Sequence, residues 1–137
     1  MNRLPGIITA IESNDHLALV DVVVGQDAFT AMLMETPQNA PYLRVGNTVA
    51  VLFKETEVSL AKDLSGRLSL RNIVRGIVRQ IRRGDILCEV VLDCNGNTLT
   101  SIITTRATKR LELQEGDEVD ALVKANEVSL MEARDDI

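Results

Sequence analysis

The sequence predicts an all-β protein made of two tandem five-stranded barrels, and three observations lead there. First, the 137 residues contain a repeat. Shifted by 70 positions, residues 2–60 align with 72–130 without a gap, and 17 of the 59 pairs are identical. Second, aliphatic and β-branched residues come in short runs divided by glycine, asparagine and aspartate, the pattern of short strands and tight turns. Third, the aromatic residues are only Phe29, Tyr42 and Phe53, with no tryptophan. The interior of a small barrel accommodates few large side chains, so valine, isoleucine, leucine and alanine suit it.

The elements follow in order. The first unit spans residues 1–62 and the second 69–137, with a linker at 63–68 that holds Asp63, Gly66 and Arg67. Ile7–Ile11 and Ile77–Ile81, each after a glycine, read as first strands. Leu17–Val24 and Leu87–Leu92 read as second strands. Asn95-Gly96 is a two-residue hairpin signal that leads into a third strand at Leu99–Ile103. Gly46 and Gly116 open fourth strands at Thr48–Phe53 and Glu118–Val123, and Val58–Leu60 and Val128–Leu130 are short fifths. A short helix or turn separates strands three and four. In the second unit Thr105–Leu111 has good helix formers, with Thr104 or Thr105 as the cap. In the first, Pro37 and Pro41 stunt it, since Pro41 would break a continuing helix. Five strands with one such insertion suggest an OB-like barrel.

Composition excludes several functions. With 15 Lys and Arg against 20 Asp and Glu, the net charge is -5. A sequence-blind nucleic-acid binder is expected to be basic and, for single strands, to offer stacking aromatics. No nucleic-acid partner is therefore expected. No apolar run has the length of a membrane span, and Met1 is followed by neither a signal nor a transit pattern, so a cytoplasmic location and no membrane partner are expected. Cys88 and Cys94 sit on one strand about 20 Å apart, too far for a disulfide. They read as buried thiols in a reducing compartment, and they offer too few ligands for a metal. His16 is the only histidine and lies in a polar turn. No nucleophile–base constellation can be assembled from it, so no enzyme is expected.

The groups that could carry chemistry are concentrated in the second unit. Ser69 and Arg71 precede its first strand, Thr104 stands at the helix start, and Lys124-Ala125-Asn126 forms the turn between strands four and five. A hydroxyl, a guanidinium, an ammonium and free N–H groups are the tools for holding a compact oxyanion. In the first unit Met34 replaces Thr104 and Glu55 replaces Ala125, and a carboxylate beside a dianion is repulsive. Each group also has a structural role open to it. The basic run Arg71, Arg75, Arg79, Arg82 and Arg83 can be a solvated strand face, Lys124 a strand end, and Thr104 a helix cap.

The stretch Leu68-Ser69-Leu70-Arg71-Asn72-Ile73-Val74-Arg75-Gly76 resembles the Ser-x-Arg-Asn opening of the molybdate-binding Mop (TOBE, molbindin) family. Thr100–Thr104, Leu113–Gly116 and Val123–Val128 follow in that family's order and spacing. The first unit is similar to a diverged copy, so the chain resembles a stand-alone double-Mop protein. This resemblance implies binding of molybdate, with tungstate as a second ligand, for storage, homeostasis or sensing. It also implies a homo-oligomer, dimer or trimer, with sites at subunit interfaces. By position, Ser69 and Arg71 would donate from the opening motif, Thr104 from the helix start, and Lys124, Ala125 and Asn126 from the strand-end turn. Family members often have Ala at Leu70, Ser at Ala107, and Ser or Thr at Asn126; an asparagine can still donate. An oligomerisation or interaction module with a vestigial anion site is the alternative from another class.

Overall fold

The structure is a computed structural model that describes residues 1–133. The strands run in chain order β1 (Asn2–Ser13), β2 (Ala18–Val24), β3 (Asp27–Leu33), β4 (Thr48–Phe53) and β5 (Ser59–Ala61). The second set is β6 (Asn72–Arg83), β7 (Leu87–Cys94), β8 (Asn97–Thr104), β9 (Glu118–Val123) and β10 (Ser129–Glu132). One helix, α1 (Thr105–Arg110), lies between β8 and β9, and 3-10 turns at Glu55–Glu57 and Ala125–Glu127 follow β4 and β9. These are two curled five-stranded sheets, the OB-like tandem the repeat implies.

The first strand of each unit is longer than its aliphatic stretch. β1 pairs with β4 from Asn2 to Ile7 and with β2 from Ile7 to Ser13. Pro5, which has no N–H to offer, lies in the half paired only with β4. β6 repeats this arrangement with β9 and β7. Each long strand bends across its sheet at a register shift, between Ile8 and Ala10 in β1 and between Val78 and Gln80 in β6, as bulges do. Glycine is required just before each bend by space. A Cβ at Gly6 would stand 2.5 Å from Val22 Cγ1 and 2.9 Å from the Val23 carbonyl oxygen. At Gly76 the nearest atom would be Cys94 Sγ, at 2.7 Å. Gly6→Ala is expected to cost about 1–3 kcal/mol, because a backbone oxygen cannot step aside as a side chain can. Denaturant unfolding measures it.

The hairpin at Asn95-Gly96 forms as its sequence dictates, with φ of 54° and 90°, the left-handed pair a two-residue turn needs. Thr104 caps α1, its Oγ1 accepting from Ala107 N at 3.0 Å. The equivalent stretch of the first unit, from Thr36 to Leu43, forms only turns, as its two prolines require. Phe29 and Phe53 are buried and stack at 5.8 Å between ring centres inside the first barrel.

The fifth strands are exchanged. β10, from the second unit, pairs antiparallel with β4 of the first, Leu130 opposite Val51. β5, from the first unit, pairs with β9 of the second, Leu60 opposite Ala121. The sheet orders are β10-β4-β1-β2-β3 and β5-β9-β6-β7-β8. The repeat in sequence and the barrels in space are thus different partitions of the chain. Lys62, just after β5, stays with the second barrel. Its Nζ donates to the carbonyl oxygens of Leu111 (3.2 Å) and Glu112 (3.0 Å) and pairs with Asp117 at 3.0 Å.

Two buried asparagines at equivalent positions join the barrels. Asn72 Nδ2 donates to the Thr30 carbonyl oxygen at 3.0 Å, and Thr30 N donates back to Asn72 Oδ1 at 2.7 Å. Asn2 makes the same pair of bonds with Thr100, at 2.8 Å each. Each side chain thus satisfies a buried peptide group on the third strand of the other barrel. The Asn2/Asn72 and Thr30/Thr100 identities of the repeat mark this reciprocal clamp.

Candidate functional site

The clamp determines where the second unit's opening motif lies. With Asn72 fixed on β3 of the first barrel, the residues before it are carried to the seam between barrels. There they meet the 3-10 turn after β9, which packs against β3. The result is an open cavity of 350 Å³ lined by Met32, Ser69, Leu70, Arg71, Lys124, Ala125 and Asn126. Five of the six oxyanion candidates are therefore brought together. The sixth, Thr104, lies elsewhere, in a cavity of 530 Å³ lined by Asp85, Ile86, Thr104, Thr105, Arg106 and Lys109. Within one chain its hydroxyl serves the helix cap.

The ion pairs distinguish Arg71 from the rest of the basic run. Arg75 pairs with Asp120 and Glu118 at 3.0 and 3.1 Å, Arg79 with Asp93 at 2.6 Å, and Arg82 with Glu89 at 3.6 Å. Arg83 donates to the Leu113 carbonyl oxygen at 3.0 Å. These four are a solvated strand face with its charge answered locally. Arg71 makes no ion pair or hydrogen bond with any described side chain, and neither does the Lys124 ammonium. Two cations without a partner among the described residues therefore line one cavity. The 3-10 turn adds to them, since the first N–H groups of a helical turn have no partner within it.

The equivalent place in the first unit is built differently. Met1 stands at the position of Arg71, and its amino group lies 2.6 Å from Glu55 Oε2, where the second unit has Ala125. That pairing holds the Glu55 carboxyl below its usual range. The amino group there already has its anion, while Lys54, the equivalent of Lys124, has no ion pair among the described residues.

The two 3-10 turns also meet each other. Glu127 is partly withdrawn from water and faces its repeat equivalent, Glu57. Desolvation first, then a side-chain hydrogen bond with Glu57 and after it the like charge of Glu57, raise the Glu127 carboxyl above the usual carboxylate range. A raised acid favours the folded state only when protonated, so the ionised pair costs stability near neutral pH. Glu127→Gln is expected to raise the melting temperature at pH 7. The gain should shrink as the pH falls through the raised Glu127 value and be gone below the ordinary glutamate value of about 4.3.

Met32 was not among the residues the sequence singled out, and Leu70 entered only as a departure from the family's pattern. Met32 comes from the first unit, and nothing in a linear reading brings β3 to a turn more than ninety positions later. The signal, in retrospect, was the repeated threonine two residues before it. Among the described residues no group of three His, Cys, Asp or Glu is placed to hold a metal cation. Cys88 and Cys94 are both free and buried, and burial followed by the charges of Asp27 and Asp93 pushes the Cys94 thiol up to about 11. No helix among the described residues is long and apolar enough to cross a membrane.

Residues 68–130 match the TOBE domain. Molybdenum-pterin-binding protein 1 of Clostridium pasteurianum is 37% identical over 65 residues, which is 96% of that protein and 47% of this chain. The chain belongs to the Mop/TOBE family. Molybdenum-pterin-binding protein MopB of Rhodobacter capsulatus is 38% identical over 128 residues, covering 90% of this chain but 47% of that protein. The chain thus spans about half the length of that relative. Among solved structures, the cytoplasmic molybdate-binding protein ModG with molybdate bound superposes with a TM-score of 0.91 at 33% identity, over 96% of both chains. As a TOBE protein, this chain carries its family match on the second unit, the half that holds Arg71 and Lys124.

Proposed function

We propose that the chain is a cytoplasmic, non-catalytic carrier of molybdate, with tungstate as a second ligand, serving storage, homeostasis or sensing. The observation that carries this reading is the convergence of Arg71 and Lys124, neither paired with another described residue, with Ser69 and the Ala125-Asn126 turn in one cavity of a Mop/TOBE protein. The guanidinium supplies planar paired donors, the ammonium a compact charge, and the hydroxyl, amide and backbone N–H groups orient the oxygens of a tetrahedral dianion. The likeness to ModG, a cytoplasmic molybdate-binding protein, supports both ligand and location.

The cavity is much larger than such an anion, and apolar Met32 and Leu70 form part of its lining. A second copy of the chain would close it and could contribute Thr104, which its own chain keeps apart. Exposed Leu17, Leu19, Met32 and Met34 on the first barrel supply apolar surface for such association. A dimer or trimer with interfacial sites is the assembly this favours.

Calorimetric titration with molybdate, tungstate and sulfate tests the reading. Heat and saturation with the two metal oxyanions are expected. No binding of either at high protein concentration would reject it.

A further inference from the structure

Arg71 borders two cavities. Besides the one it shares with Lys124, it lines a neighbour of 390 Å³ whose wall comes from the first barrel: Ile11, Glu12, Leu19, Asp21 and Thr30. Arg71 and Ala125 are common to both, so the two spaces adjoin at those residues. One side offers cations and donors; the other offers carboxylates. We infer that Asp21 competes with the bound oxyanion for Arg71 and so sets how tightly the anion is held, an inference that rests on the reading above.

The carboxylate is held for this purpose by a chain of hydrogen bonds. Thr30 Oγ1 donates to Asp21 Oδ1 at 2.7 Å, and the Thr30 backbone is clamped by Asn72, the residue after Arg71. Asp21 Oδ2 makes no hydrogen bond or ion pair with another described residue, so it remains available to a guanidinium. In the structure Arg71 pairs with neither side, and its unbranched stem gives the head group the reach to choose. The arrangement is absent from the other half of the repeat. Val91 stands at the position of Asp21, Arg82 at that of Glu12 and Met1 at that of Arg71. Asp21 is thus a feature of the diverged first unit that acts on the anion site of the second.

Binding two partners in turn gives a simple linkage. Whatever free energy Asp21 contributes to Arg71 in the empty protein is lost when the anion takes the guanidinium, and it subtracts from anion affinity. Asn at this position keeps an oxygen for Thr30 while removing the charge. Asp21→Asn is therefore expected to tighten molybdate binding by roughly threefold or more. Asp15→Asn removes the same charge from an exposed turn of the same barrel and lines neither cavity; it is expected to change affinity less than twofold. In anion-free protein labelled with 15N-arginine, the Arg71 Nε resonance is expected to move on Asp21→Asn. It should move in the wild type on adding molybdate. Affinity of Asp21→Asn equal to that of Asp15→Asn, weakened binding, or an unmoved Arg71 resonance would each overturn the inference while leaving molybdate binding by the wild type in place. A wild-type chain that binds no molybdate rejects the underlying reading and this inference with it.

Discussion

A chain ended after Val128 is expected to lose the first barrel while keeping the second. The residues removed belong to the second half of the sequence, yet β10 pairs with β4, four residues deep, and seats Leu130 in the core at 9% exposure. Ladder hydrogen bonds at about 1 kcal/mol each and a buried leucine at about 1.5–3 kcal/mol put the loss on the order of 5 kcal/mol. That equals the whole stability of a marginal domain. Hydrogen exchange read by mass spectrometry distinguishes the outcomes. Lost protection should run through β1 to β4, with β6 and β7 still protected. Protection lost instead around β9 would mean that each unit keeps its own fifth strand in solution.

The second large effect belongs to Arg71. Arg71→Ala is expected to weaken molybdate binding by roughly 30- to 100-fold, the value of a charge-assisted, two-pronged hydrogen bond, and to leave the melting temperature unchanged. Lys124→Ala should weaken binding too, by about tenfold. Both side chains are exposed and make no contact the fold depends on. Arg75→Ala is the matched control, because its guanidinium is already paired with Asp120 and Glu118. Titration calorimetry on the three variants checks this. Equal losses in Arg71→Ala and Arg75→Ala would reduce the effect to overall charge and remove Arg71 from the site.

Much of this molecule can be read from its residues, and the reasons are physical. The Asn95-Gly96 turn, the capped helix after Thr104 and the stunted one around Pro41 are local matters, decided by backbone conformations that neighbouring residues permit. The repeat extended each such reading to the other unit. The first strands were read short because Arg3 and Pro5 before them, and Glu12 after, interrupt the aliphatic alternation; those residues are held by pairing rather than propensity. The strand exchange was beyond reach for another reason. Alternation says which face of Val58–Leu60 or Val128–Leu130 is buried, but two near-identical barrels offer each strand near-identical neighbours. The same limit governed the candidate site. Ser69, Arg71 and Lys124 were legible from their chemistry, whereas Met32, Thr30 and Asp21 reach it only through the clamp at Asn72. Thr104 caps α1 within its own chain and stands apart from the other five candidates, a separation that no linear reading shows.

The crossing of the fifth strands also sets an order of events. Leu130 is 79 residues beyond its partner Val51, so the barrel synthesised first is the one completed last. Until β10 arrives, β4 presents an open edge, and an open edge invites any other strand with free backbone groups. Contacts of such long range are slow to form, because the intervening chain must be ordered before they contribute. On the ribosome, the first half of this protein waits for the second.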